Sequence, residues 1–120
     1  MPDEKRITVE AMRGHIEQLI APFANDVSIY TVKRAHQARV LTDPENSEPL
    51  ELQIPTVRSA VSYATVLHEI DHIKGRHQNS RSVLVRERWA WRWARENALI
   101  WTEVMDRSAT NALAWYEARF

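Results

Sequence analysis

The sequence predicts an α+β fold, with a small sheet of about three strands, at least partly antiparallel, packed against helices. Three observations predict it. Apolar residues recur at helical spacing in long stretches on both sides of the middle of the chain. Leu50, Leu52 and Ile54 alternate with Glu51 and Gln53, which is the period of a half-buried strand. The connections between the strand-like stretches are short, which suits antiparallel pairing. A length of 120 residues, 44% of them hydrophobic, fits one compact domain over 1–120 with a core of its own.

The elements follow in order. Val9, Met12, Ile16, Leu19, Ile20 and Phe23 mark a first helix over about Thr8 to Ala21, with Pro22 near its end. Val27 to Val32 reads as a strand and His36 to Leu41 as a second. Asp43 to Pro49 is a polar turn, and the third strand ends at Pro55. Val57, Ala60, Val61, Ala64, Leu67 and Ile70 define a helix to Lys74, and Gly75 is a natural stop. A polar loop leads to a helix from about Val83 to Trp101, and a last helix covers Ser108 to Arg119.

Composition excludes some function classes. Sixteen basic and sixteen acidic side chains cancel, so the chain as a whole has no electrostatic pull toward nucleic acid or membrane. There is no cysteine, which rules out disulfides and leaves histidine and carboxylates as the strong metal ligands. The start, Met1 to Arg6, is charged and lacks a signal-peptide core, and no stretch approaches the ~20 apolar residues of a membrane span. A soluble cytoplasmic protein is the expectation.

The run His68-Glu69-Ile70-Asp71-His72 lies on the helix predicted to end at Lys74. Residues four apart stack on one helix face, so two imidazoles there can grip one zinc ion through Zn–N bonds of about 2.0–2.1 Å. Glu69 sits about 100° further round, beside the metal, placed to take a proton from a metal-bound water. Three protein ligands would leave the open position of a catalytic site.

The third ligand has two candidates. Glu87 opens a face that continues through Ala90, Trp91, Ala94, Ala98 and Trp101. A carboxylate on such a face is costly unless it is paired or bound to metal; the plainer partner is Arg86, Arg88 or Arg92. His77 is the other: His68 to His77 runs one residue short of the HExxHxxGxxH pattern, whose third histidine position holds Gln78. It fits better as a loop residue near the cleft, or as a solvated histidine. Tyr63, His77 and Arg86 are the alternatives for a group that steadies an oxyanion. His15 and His36 read as structural.

Ile54-Pro55, Tyr63, Leu67-His68-Glu69-Ile70 and Glu87-x-x-Ala90-x-x-x-Ala94 together resemble the ImmA/IrrE-type zinc metallopeptidases, over roughly Leu50 to Leu99. The resemblance implies a minimal, stand-alone zincin-like domain in which His68, His72 and Glu87 bind zinc and Glu69 is catalytic. It also implies a protein or peptide substrate, such as a transcriptional repressor of a phage or mobile element. Asp71 departs from the family pattern, which has Gly or Ala before the second histidine. It could orient a ligand, crowd the site as an extra one, or point to solvent.

Lys74 to Arg95 carries seven basic residues, one acid and the interleaved Trp89, Trp91 and Trp93. Direct nucleic-acid binding through this stretch is one reading. We favour core packing by the tryptophans beneath a wet arginine face. Two functions outside the peptidase class stay open: a DNA- or protein-binding module with a non-catalytic zinc site, and a zinc hydrolase of other substrates.

Overall fold

The computed structural model describes residues 7–32, 39–46, 48–74 and 80–120. Helix α1, Val9–Ile20, leads through a 3-10 turn at Ala21–Phe23 into strands β1, Ser28–Val32, β2, Arg39–Thr42, and β3, Pro49–Pro55. Three helices complete the chain: α2, Ala60–Lys74, α3, Val83–Asn97, and α4, Glu103–Glu117. The architecture is the α+β expected, with a three-stranded mixed sheet.

β3 is the central strand. β2 lies antiparallel to it with Val40 opposite Leu52, whereas β1 runs parallel with Ile29 opposite Leu52. The parallel pair is possible because β2 and its turns separate β1 from β3, giving the chain room to return in the same direction. The turn into β3 is held locally: Asp43 Oδ1 accepts from Glu45 N at 2.8 Å and Asn46 Oδ1 from Glu48 N at 2.9 Å. Inward alternation holds for Leu52 and Ile54 but not for Leu50, which is exposed at the strand end away from α2. Of the second predicted strand, positions 36–38 lie outside the described residues, and β2 continues one residue further, to Thr42.

α1 begins where Thr8 Oγ1 accepts from Ala11 N at 3.0 Å, and it buries Met12, Ile16 and Ile20 at four-residue spacing. α2 starts at Ala60 rather than Val57. The carbonyl of Val57 is taken by Arg13 Nε at 2.9 Å, and Ser62 Oγ accepts from Arg58 N and Ser59 N at 2.9 and 3.0 Å, so the entry turn is built by side chains. From there α2 runs through the middle of the protein, touching α1, α3, α4, β2 and β3. Tyr63, Ala64, Val66, Leu67 and Ile70 have no exposed surface. Each buried leucine or isoleucine of this kind contributes about 1.5–3 kcal/mol. The metal-motif helix is thus also the central core helix.

The Tyr63 hydroxyl ties three elements together, meeting His15 Nδ1 of α1 at 2.5 Å and accepting from Leu99 N at 2.9 Å. That second bond explains a difference from the sequence. Helical spacing continues to Trp101, yet α3 ends at Asn97, Ala98 is extended, and the backbone leaves to reach Tyr63. α4 then starts earlier than expected, because Thr102 Oγ1 caps it by accepting from Met105 N at 3.2 Å. No helix among the described residues is long and apolar enough to cross a membrane.

Candidate metal centre

α2 and α3 bring His68, His72 and Glu87 to one point. His68 Nε2 lies 2.9 Å from Glu87 Oε1, His72 Nε2 lies 2.7 Å from Glu87 Oε2, and the two Nε2 atoms are 3.2 Å apart. The imidazoles cross nearly at right angles, at 86°. Their four-residue spacing on α2 makes them neighbours, and the apolar stripe of α3, with Glu87, Ala90, Trp91 and Ala94 buried, turns the carboxylate inward toward them. Ser82 starts that helix by accepting from Val85 N at 3.3 Å.

The group suits a divalent cation on its own geometry. Bonds of about 2.05 Å at tetrahedral angles place ligand atoms roughly 3.3 Å apart. The two imidazole nitrogens, 3.2 Å apart, already stand near that spacing, and one ligand atom from each of the three residues lies within 4.8 Å of the others. Two protonated nitrogens at the observed separation repel each other, whereas a shared cation uses both lone pairs. Two imidazoles and a carboxylate are also a donor set that borderline-soft divalent ions favour. Among the described residues no fourth His, Cys, Asp or Glu joins the group.

Neighbours hold the ligands in place. The Trp91 ring stacks on His68 with centroids 4.2 Å apart and planes 19° apart. The same tryptophan lines an open cleft of about 540 Å³ between α3 and α4, together with Arg88, Arg92, Arg95 and Leu113. Glu69 Oε2 stands 3.5 Å from His68 Nδ1. A proton held on Nδ1 by that carboxylate leaves Nε2 with its lone pair directed at the triad. The sequence places Glu69 where it would stand beside a metal; its contact in the structure is with the His68 imidazole.

The other expected site residues are dispersed. Tyr63 is five residues from His68, about 140° round the helix, and its hydroxyl is taken by His15 and Leu99. The Tyr63 hydroxyl and the His15 ring are thus partners in a contact between α1, α2 and the segment after α3. Asp71 is fully buried, which corrects the solvent-facing alternative; α2 is enclosed on that side as well, and Asp71 is not one of the three converging groups. Arg86 Nη1 donates to the carbonyl of Ser80 at 2.5 Å. His77, Gln78 and His36 lie outside the described residues. Trp91 is buried against His68, Arg92 lies 5.0 Å over the Trp89 ring, and Arg92 and Arg88 pair with Glu96 and Glu117.

Electrostatics bind the triad tightly without metal. Burial pulls His68 down, but hydrogen bonds and charge from Glu69 and Glu87 outweigh it and raise the imidazole to about 9. Burial pushes Glu87 up, and the two histidines outweigh that and bring it to about 2. The pair therefore stabilises the metal-free fold fully between the ordinary values of 4.5 and 6.5, fading as pH falls toward about 2 or rises through about 9. Metal needs the neutral imidazole, so each ion bound near neutrality displaces the His68 proton. Apparent metal affinity is expected to rise about tenfold per pH unit up to about pH 9. Competition against a chromophoric chelator measures it; an affinity flat across that range would show that no such proton is displaced.

No protein-family model, curated protein or solved structure matches this chain.

Proposed function

We propose that this protein is a zinc-dependent peptidase of the ImmA/IrrE type, acting on a protein or peptide such as a transcriptional regulator. The observation that carries the reading is the convergence of His68, His72 and Glu87, with a second carboxylate, Glu69, against the Nδ1 side of the His68 ring. A triad of protein ligands can leave a position open for water, which is the arrangement of a catalytic site. The ligand side chains are deep but not sealed, at 12%, 15% and 8% exposure for His68, His72 and Glu87. Water can reach them.

Zinc, when bound, supplies acidification of the attacking water and polarisation of the scissile carbonyl. His68, His72 and Glu87 would hold it. Trp91 keeps the His68 ring from turning, and Glu69 at Nδ1 keeps its tautomer. In the reaction Glu69 would leave Nδ1 for the attacking water and accept its proton as the water oxygen bonds to the carbonyl carbon. It returns that proton to the amide nitrogen as the C–N bond breaks, so the leaving group departs as a neutral amine.

The test is metal removal. Zinc-loaded protein incubated with regulatory proteins or mixed peptides should yield new termini by mass spectrometry. Chelation should stop cleavage and added zinc restore it. Product formation indifferent to chelation would sink the reading.

A second reading has one observation in its favour. The contact between Glu69 and His68 Nδ1 is also what a purely supporting carboxylate makes in a non-catalytic metal site of a DNA- or protein-binding module. The two readings part over what Glu69 does beyond holding the ring.

A further inference from the structure

A carbonyl oxygen that takes up negative charge during attack is best stabilised by a fixed donor in addition to the ion. The last turn of α4 carries such a donor. Only residues 98–102 join α3 to α4, and Arg88 Nη2 pairs with Glu117 Oε2 at 3.2 Å. The two helices therefore run antiparallel, with the end of α4 beside the beginning of α3, where Glu87 sits. The ion pair is exposed and adds little energy, but it marks this register.

Tyr116, half-buried, continues in that turn at helical spacing the stripe of α4 that packs through Met105, Ala109, Ala112 and Leu113. Its ring is set by Trp115, edge-on at 5.0 Å, and by Phe120, stacked at 6.2 Å. Burial raises the phenol above its ordinary value, Glu87 and Glu69 raise it further, and Arg86 opposes them. All three charged groups belong to the metal centre or border it. The phenol lies near enough to the centre to sense its charges and keeps its proton at neutral pH. Tyr63 spends its hydroxyl on His15 and Leu99, whereas the Tyr116 hydroxyl makes no hydrogen bond among the described residues.

We propose that Tyr116 is a catalytic residue of the peptidase reaction, its phenol O–H donating a hydrogen bond to the scissile carbonyl oxygen as that oxygen becomes an oxyanion. The inference rests on the peptidase reading. No proton is transferred in this step. The water oxygen bonds to the carbonyl carbon, the π pair moves onto oxygen, and Tyr116 holds that charge until the C–N bond breaks and the carbonyl re-forms.

The experiment uses Tyr116→Phe, which removes one oxygen and keeps the ring between Trp115 and Phe120. Zinc content by elemental analysis normalises the site concentration. Turnover is expected to fall by about a hundred- to a thousandfold with KM nearly unchanged. Calorimetric affinity for a phosphinic peptide, whose tetrahedral anionic centre mimics the oxyanion, should weaken about ten- to a hundredfold. Zinc content should match wild type. Wild-type turnover and phosphinic-peptide affinity in the variant would overturn the role of Tyr116 and leave the peptidase reading standing. A zinc-loaded wild type that neither cleaves peptides nor binds the phosphinic peptide would overturn both.

Discussion

Glutamine in place of Glu69 is expected to lower peptide hydrolysis by about a hundred- to ten-thousandfold while the protein still carries its metal. The substitution is chosen for what it keeps. Glu69 Oε2 faces His68 Nδ1 at 3.5 Å, and a glutamine amide oxygen can still accept from an Nδ1 proton there. Ring orientation and tautomer survive, so metal affinity should fall by no more than the ten- to hundredfold seen when a partner of a ligand is altered. What glutamine cannot do is take a proton from water. Rates are measured at saturating zinc, with metal stoichiometry determined on the same samples. A rate within tenfold of wild type, at equal metal content, would remove Glu69 from proton transfer. It would then be only the support of His68, and the non-catalytic reading would take precedence.

Much of this site was legible in the chain because its geometry is mostly helical arithmetic. The four-residue interval puts His68 and His72 side by side wherever α2 exists. The stripe that begins at Glu87 had to face inward, and α3 follows α2 closely enough to fold back on it. Packing between distant elements was less legible. Ala90 and Trp91 read equally as apolar filling, and nothing local says that Trp91 stacks on His68. Tyr116 falls at the end of a stripe beginning at Met105, so its inward direction was readable once α4 was given its true start. The Thr102 cap was available in the sequence, but the search for apolar period placed the helix start at Ser108. The end of α3 could not be read at all from local pattern. The period through Ala98 and Trp101 continues, and a hydroxyl on another helix overrides it at Leu99. Parallel pairing of β1 with β3 is of the same kind, because it depends on a partner distant in sequence and not on either strand alone.

The metal itself should depend most on Glu87. Alanine there is expected to reduce zinc affinity by at least about a hundredfold, exceeding the effect of altering an outer partner, because a direct ligand and its negative charge both go. In the metal-free protein the same change removes the carboxylate that both imidazoles face at 2.9 and 2.7 Å. Thermal stability near neutral pH should therefore fall as well, and affinity alone would confound ligand loss with a loosened fold. Glu87→Gln separates them. Its amide oxygen can accept from one imidazole, preserving part of the metal-free contact, yet it is a poor zinc ligand and carries no charge. The metal-free melting temperature of Glu87→Gln should lie between those of alanine and wild type, while its zinc affinity stays with alanine. The stability difference between wild type and alanine should also narrow above about pH 9, where His68 loses the proton that pairs with Glu87. Zinc bound at wild-type stoichiometry and affinity by both variants would mean that the carboxylate serves the fold only, and the metal centre would need another third ligand.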